Sequence, residues 1–409
     1  MTGLERVPGE SEEWQVLSEC GPRKPVTRVL ACVVLAAVSS CDRKPNEVVH
    51  PTSGNVPPPG SAVVRSEGPP LGLDAVALDS WSSVRDGLLS QWEVVAALGS
   101  AGDVGADTPD VFGIELDLVV EGDDIVVLDR RNYSIKVFNL DGVHVESFGR
   151  AGSGPGEFRD PTAIERLADG SLAVLDRGRE IKLYSHSDSR YVYTGNRRLD
   201  LVPEYMCAVE DRVFVSGWRM EDNTMIHEVP LAPIGRMQHF GRGYLSDEVL
   251  VQDQMSDGPI ACVEDPLRVV LAFERLPVVR GYAVEGGALL WTSRNEDYLQ
   301  PPIVERRDGA GRLGISFSNR GARDMVASLT AVSNTHVLLQ NVRFEPKRDP
   351  ADVQLAVRSY LMDAATGQGA FISESLPLVA GVEAEYYVAL WVLPFPRIEV
   401  RRFDLATRP

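Results

Sequence analysis

Apolar and polar residues alternate in short runs along the chain from about residue 90 onward. Residues 125–142 read IVVLDRRNYSIKVFNLDG, which is an apolar run, a polar turn and a second, alternating run. A period of two is typical of β-strands, and polar turns such as Asp141-Gly142 and Asp169-Gly170 are typical of antiparallel hairpins. The pattern therefore predicts an all-β domain built from short hairpins.

This hairpin unit repeats along the chain. Val-Leu-Asp-Arg stands at 127–130 and again at 174–177, and Ile-Lys stands at 135–136 and at 181–182. The same rhythm continues more weakly at residues 207–216, 261–287, 328–367 and 386–403. Six units over residues 90–405 give about 53 residues each, near the length of a four-stranded propeller blade. The repeat predicts six blades.

The segment between the first two units, FGRAGSGPGEFRDPTAI at residues 148–164, resembles the linker of NHL-repeat six-bladed propellers. That family places Phe-Gly, a Gly-rich loop ending in Gly-x-Phe, and then Pro with a small residue before the next inner strand. The matching residues are Phe148, Gly149, Gly152, Gly154, Pro155, Gly156, Phe158, Pro161 and Thr162. The resemblance covers roughly residues 111–190 and implies a six-bladed β-propeller.

The two ends of the repeat region are complementary. Residues 92–99, WEVVAALG, look like an outer strand with its trailing glycine, yet they precede the first unit, while the last unit stops after Phe403, about one strand short. We therefore predict that the amino-terminal strand completes the last blade and closes the ring, which protects the sheet edges. The predicted propeller domain spans residues 91–409. A pair of β-sandwiches, the competing fold, explains neither the repeat nor this complementarity.

The amino-terminal region carries the pattern of an export signal. An apolar run at residues 29–38 follows a basic cluster and ends in the sequence VSSC at residues 38–41. The run is too short to span a bilayer but fits a secretory signal peptide over residues 1–40. Its ending resembles the lipobox of bacterial lipoproteins, which implies lipid attachment at Cys41 and an extracytoplasmic protein anchored to the cell envelope. A buried helix with an incidental cysteine is the alternative.

Two segments separate this signal from the propeller. Residues 41–72 are rich in Pro, Ser and Gly, and such a stretch buries too little apolar surface to fold. We predict a disordered tether there. Residues 73–90 are ambiguous, and either a short helix or a strand packed on the domain fits them.

Charge and missing motifs narrow the classes of function. A net charge of −18 repels phosphate backbones and anionic lipids, so we expect no nucleic acid and membrane contact only through the anchor. No zinc spacing, HExxH or GxSxG motif occurs, and the six histidines form no paired motif. We therefore predict no metal, no cofactor and no catalytic residue, and a role in binding a protein, peptide or glycan. The alternatives are a metal-assisted propeller lyase or lactonase and a structural subunit of an envelope complex.

Basic residues and cysteines supply the remaining candidates for a site. Four arginines in the first two units could present a ligand face, or pair with local carboxylates as solvated turn residues: Arg130, Arg131, Arg177 and Arg179. Cys207 and Cys262 fall near the start of the inner strand in consecutive units. Two buried free thiols are the default expectation, because cysteine packs as a small hydrophobic residue. The alternative is a disulfide across the two blades, which requires an oxidising compartment and Cα atoms about 5.5 Å apart.

Two aspartates hold equivalent positions in the first two units. Asp129 and Asp176 each end the second strand of a unit. A ring of such carboxylates could hold Ca²⁺, but the later units offer no acid at this point. We therefore predict that both aspartates cap the turns that follow them.

Overall fold

The structure is a computed structural model, and it describes residues 62–402 apart from short gaps. The gaps are residues 91, 102–108, 114–115, 178, 188–189, 233–234, 308–312, 318–320, 347–352, 384–385 and 392–394. The predicted signal peptide, Cys41 and most of the predicted tether lie outside the described residues. Neither helix in the described part of the chain is long and apolar enough to cross a membrane.

The described chain begins with three elements that precede the repeat region. They are strand β1 (Ala62–Arg65), helix α1 (Ala75–Leu89) and strand β2 (Glu93–Leu98). The first three blades follow, each an antiparallel sheet of four consecutive strands. Blade 1 contains β3 (Leu116–Glu121), β4 (Asp124–Asp129), β5 (Ser134–Asn139) and β6 (His144–Phe148). Blade 2 contains β7 (Pro161–Arg166), β8 (Leu172–Asp176), β9 (Glu180–Ser187) and β10 (Arg190–Arg198). Blade 3 contains β11 (Tyr205–Val209), β12 (Arg212–Arg219), β13 (Thr224–Val229) and β14 (Gln238–Arg242).

Helix α2 (Val249–Met255) leads into the second half of the ring. Blade 4 contains β15 (Ile260–Glu264), β16 (Leu267–Ala272), β17 (Val278–Ala283) and β18 (Leu289–Asn295). A separate hairpin of β19 (Ile303–Arg307) and β20 (Leu313–Phe317) follows it. Blade 5 contains β21 (Arg323–Ala331), β22 (His336–Pro346), β23 (Val353–Asp363) and β24 (Gly369–Ser373). Blade 6 contains β25 (Leu378–Glu383), β26 (Tyr386–Trp391) and β27 (Arg397–Arg402).

Strand β2 supplies the fourth strand of blade 6. It pairs antiparallel with β27, from Glu93 opposite Arg402 to Leu98 opposite Ile398. The first strands of the six blades contact one another in the circular order β3, β7, β11, β15, β21, β25 and back to β3. The molecule is therefore a six-bladed β-propeller closed by its amino-terminal strand, and the predicted fold is confirmed.

Packing between the blades explains why several strands are continuously apolar. In β4 the side chains of Ile125, Val126 and Val127 are all fully buried. Alternate residues of this strand point to opposite faces of the blade, and each face packs against a neighbouring blade. The core of the protein is thus a set of apolar layers between adjacent blades rather than a single central cluster.

Strand β1 corrects the predicted tether. It pairs in parallel with β18 of blade 4 and with β24 of blade 5, and so joins these two blades into one nine-stranded sheet. Val64 is fully buried. Residues 62–65 lie inside the segment 41–72 that we predicted to be disordered, and the prediction is wrong for them. Both edges of the strand are paired, and Val64 packs in the core.

The ambiguous segment 73–90 is mostly helix. The Asp74 side chain caps α1 by accepting a hydrogen bond of 2.9 Å from the Ala77 amide. Trp81 is 1% exposed, and its indole Nε1 donates to the Leu361 carbonyl oxygen of blade 5 at 3.0 Å. The same cluster includes Tyr387 of blade 6. Helix α1 is therefore held against the interface between the last two blades.

Candidate functional site

The first strands of the six blades surround a central channel with a volume of about 1120 Å³. Small side chains recur in its wall and keep it open: Ala163, Ala168, Ala208, Ala261, Ala327, Ala331 and Ala380. Helix α1 contributes Ser80, Ser83 and Val84 to the same wall. The volume is that of a pocket for a small molecule or a short segment of a larger ligand.

Two carboxyl groups from adjacent blades line this channel. Asp117 lies on β3 and Glu165 on β7, and both are half-buried. Asp117 Oδ2 accepts a hydrogen bond of 2.8 Å from the Ile164 amide. Strand β7 is the innermost strand of its blade and pairs only with β8, so the amides on its free edge need acceptors from outside their own sheet. Asp117 supplies one of these acceptors. The contact ties the inner strands of blades 1 and 2 together.

Burial makes both acids weaker than usual. It raises the pKa of Asp117 to about 6, although hydrogen bonds from the Ile164 and Leu118 amides oppose the rise. Burial also raises the pKa of Glu165 well above its ordinary value, and the negative charge of Asp117 raises it further. Among the described residues, no basic neighbour lowers the pKa of Glu165. Both carboxyl groups therefore hold their protons to a higher pH than exposed acids do.

Sequence analysis missed this pair. Asp117 stands between Leu116 and Leu118, and Glu165 follows Ile164, so each looks like an ordinary outward residue of an alternating strand. The signal was their place in the first strand of a unit, because the first strands of the six blades line the channel.

The disulfide alternative holds for the two cysteines. Cys207 and Cys262 are bonded, and their Cα atoms lie 5.6 Å apart. Each is the third residue of a five-residue inner strand, β11 or β15, so the two stand at the same height in neighbouring blades. The bond lies in the channel wall and closes a loop across two blades. Such a cross-link typically stabilises a fold by about 2–4 kcal/mol.

Two of the four candidate arginines form ion pairs with local carboxylates. Arg130 Nε donates to Asp160 Oδ1 at 2.8 Å, and Arg177 Nη2 donates to Glu204 Oε1 at 2.8 Å. Asp160 also lies 3.8 Å from Arg177 and so links the two pairs. These contacts fit the alternative interpretation of paired turn residues.

The other two candidate arginines, Arg131 and Arg179, are exposed. The structure therefore brings Arg130 and Arg177 together through Asp160 but does not show what the four arginines bind. Their role as a ligand face stays a prediction.

Asp129 caps the turn that follows it, as predicted, because its Oδ1 accepts a hydrogen bond of 3.3 Å from the Asn132 amide. The hydrogen bonds of Asp176 hold the linker that precedes its blade. Asp176 accepts hydrogen bonds of 2.9 Å from the amides of Arg159 and Asp160. Asp129 is bound by the Lys136 ammonium group at 2.9 Å. Within the described ranges, no group of three or more His, Cys, Asp or Glu is placed to hold a metal ion.

A histidine pair lies on blade 3, away from the channel wall. The Nδ1 atoms of His227 and His239 lie 2.8 Å apart, and His227 Nε2 lies 2.7 Å from the Gly217 carbonyl oxygen. Burial, together with the neighbouring His239, lowers the pKa of His227 to about 4, although the hydrogen bond to the Gly217 carbonyl oxygen opposes the fall. The sequence showed no paired motif because the two histidines meet across the register of β13 and β14.

Comparison with known proteins agrees with the fold. The model of the DUF5128 family, described as a 6-bladed beta-propeller, matches residues 107–227. No curated protein matches the chain.

Several solved structures are similar in fold at low sequence identity. An exported protein of Bacteroides fragilis is 12% identical and covers 84% of this chain and 99% of its own, with a TM-score of 0.47. A DUF4221 family member from Bacteroides vulgatus is 9% identical and covers 77% and 98%, with a TM-score of 0.48. A virginiamycin B lyase from Staphylococcus aureus is 10% identical and covers 77% and 100%, with a TM-score of 0.42. The sheet topology and the family model agree that the chain is a six-bladed β-propeller, and the likenesses to these solved structures carry no argument.

Proposed function

We propose that this protein is a lipid-anchored, extracytoplasmic binding module that takes its ligand into the central channel. The observation that carries the proposal is the channel itself, which offers about 1120 Å³ between six inner strands. Ligand sites in proteins are concave and combine apolar surface with polar groups that orient the ligand, and the channel wall offers both kinds of surface. A small molecule, or one segment of a peptide or glycan, would fill it.

The proposed location draws on two independent features. The sequence VSSC at residues 38–41 resembles a lipobox. The disulfide between Cys207 and Cys262 is typical of proteins that fold in an oxidising compartment. Both features support a protein that leaves the cytoplasm.

Filling the channel tests the binding proposal. Ala208 lines the channel on β11 and is half-buried, so Ala208→Trp places an indole in the ligand's space. Peptide, glycan and small-molecule libraries would be screened by thermal shift against the unchanged protein, and each hit measured by calorimetry. We expect Ala208→Trp to weaken hits at least about 10-fold, a loss of roughly 1.4 kcal/mol.

The control is Val192→Trp, which adds the same indole at a half-exposed position on the outermost strand of blade 2. We expect it to change affinities less than twofold. Hits that bind Ala208→Trp and the unchanged protein equally well, or a screen without any hit, would remove the basis of the proposal.

The anchor has its own test. Expressed in a bacterium fed an alkyne-labelled fatty acid, the full chain should incorporate label and sediment with membranes. Cys41→Ser should incorporate none, because the lipobox thiol is the acceptor, whereas Cys32→Ser, which alters the apolar run instead, should stay labelled. Label that persists in Cys41→Ser would contradict the anchor.

A further inference from the structure

We infer that the channel binds the cationic group of its ligand, an ammonium or guanidinium on an apolar stem, at Asp117 and Glu165. The inference rests on the proposed channel-binding function and adds the chemical class of the ligand. Its basis is the position of two acids from adjacent blades in the channel wall, of which Glu165 has no partner among the described residues.

The Glu165 carboxyl group is the acceptor to which the ligand's cationic group would bind. Glu165 lines the channel, and among the described residues its carboxyl group takes part in no hydrogen bond or ion pair. A partly desolvated carboxyl group without a partner costs free energy, which the protein tolerates at ligand sites. Asp117, by contrast, is fixed by two backbone amides and so forms a rigid second wall of the same subsite.

The balance of charge in the channel favours a cation. Besides the pair, the titratable side chains in the described lining are Arg130, Arg166, Glu204, Tyr205, Glu210 and Glu264. The lining therefore holds five carboxyl groups and two guanidinium groups, of which Arg130 is already paired with Asp160 and Glu204 with Arg177. A cleft with an excess of one sign of charge raises the local concentration of ligands of the opposite sign.

The small number of oxygen ligands favours an organic cation over a metal ion. Ca²⁺ takes six to eight oxygens and Mg²⁺ demands octahedral geometry, whereas the subsite offers two carboxyl groups, of which one already accepts backbone hydrogen bonds. An ammonium or guanidinium group needs only two or three acceptors, and its stem would contact the aliphatic wall.

Binding would exchange a proton for the ligand's charge. The protonated Glu165 carboxyl group gives its proton to solvent, and the resulting carboxylate pairs with the incoming ammonium group. No other bond forms or breaks. Affinity should therefore rise with pH through the range in which the carboxyl group ionises, and binding within that range should release up to one proton.

Calorimetry of the full chain with n-hexylammonium, n-hexanol and n-hexanoate tests the inference, because the three probes share a stem and differ in charge. We expect n-hexylammonium to bind at least about 10-fold more tightly than n-hexanol, and n-hexanoate not to bind. Titrations in two buffers of different ionisation enthalpy should show the proton release. Glu165→Gln, which keeps the shape of the side chain, should abolish both the preference and the proton release.

The matched control is Glu296→Gln, an exposed acid outside the channel lining, which should change affinity less than twofold. Equal binding of n-hexylammonium and n-hexanol, or a preference that survives Glu165→Gln, would overturn the cationic subsite while the channel-binding function stands. Tight binding of CaCl2 that Glu165→Gln removes would also overturn it, in favour of a metal ion. Failure of the channel-binding function itself would show as hits that Ala208→Trp leaves unchanged.

Discussion

Leu98→Asp should lower the free energy of unfolding by roughly 4 kcal/mol, because the substitution buries an unpaired carboxylate where the ring closes. Leu98 is 3% exposed and pairs with Ile398 at the end of the closing strand β2. Its side chain lies in the cluster that joins blade 6 to blade 1. Chemical unfolding followed by tryptophan fluorescence would measure the loss, and the melting temperature should fall by about 10 °C.

Val94→Asp is the matched control for this prediction. It introduces the same acid on the same strand, but Val94 is 49% exposed and lies opposite Arg401. We expect the free energy of unfolding to change by less than about 0.5 kcal/mol. Equal effects of the two substitutions would mean that β2 does not close the ring through its buried face.

Asp117→Asn should stabilise the protein at pH 8 by about 1–3 kcal/mol and have little effect at pH 4. The folded state raises the pKa of Asp117 from 3.8 to about 6. A carboxyl group with a raised pKa contributes its full stability below its unfolded pKa and loses that stability as the pH rises through its folded pKa. Asparagine removes the charge yet keeps an oxygen that accepts from the Ile164 amide. Urea unfolding at pH 4 and pH 8 measures the difference.

Asp169→Asn provides a control of opposite sign. Hydrogen bonds from Ser171 lower the pKa of Asp169 in its exposed turn, so this carboxylate stabilises the fold above its unfolded pKa. We expect Asp169→Asn to be slightly less stable than the unchanged protein at pH 8. A destabilising effect of Asp117→Asn at pH 8 would show that the aspartate is not held in a weakly acidic state.

The ring and its closure could be predicted because their signals are local. The alternation in β4 and β5 sets each strand, and the repeat sets the blade. Residues 92–99 carry enough of the outer-strand pattern to be matched with the incomplete last unit. In each case a few neighbouring residues contain the information.

Strand β1 and the channel acids depend on contacts that no local pattern records. The four residues of β1, AVVR, stand in a Pro-rich stretch, and their strand forms only because the outer edges of blades 4 and 5 lie on either side of them. Asp117 and Glu165 become neighbours through the curvature of the ring, which places β3 beside β7. The disulfide also depends on such a contact, because Cys207 and Cys262 must stand at the same height in neighbouring blades. Their spacing in the sequence does not determine that height.

The first three described elements, β1, α1 and β2, contact blades 4, 5 and 6, which are synthesised in the second half of the chain. Strand β1 pairs with β18 and β24, α1 packs on β23, and β2 pairs with β27. Leu98 therefore cannot pair with Ile398 until 300 more residues have been synthesised. At ribosomal rates of about 5–20 residues per second, that interval is roughly 15–60 s. Until then β2 cannot pair with β27, and the ring of blades in the nascent chain is not closed. The last blade to be made is therefore the one that locks the ring.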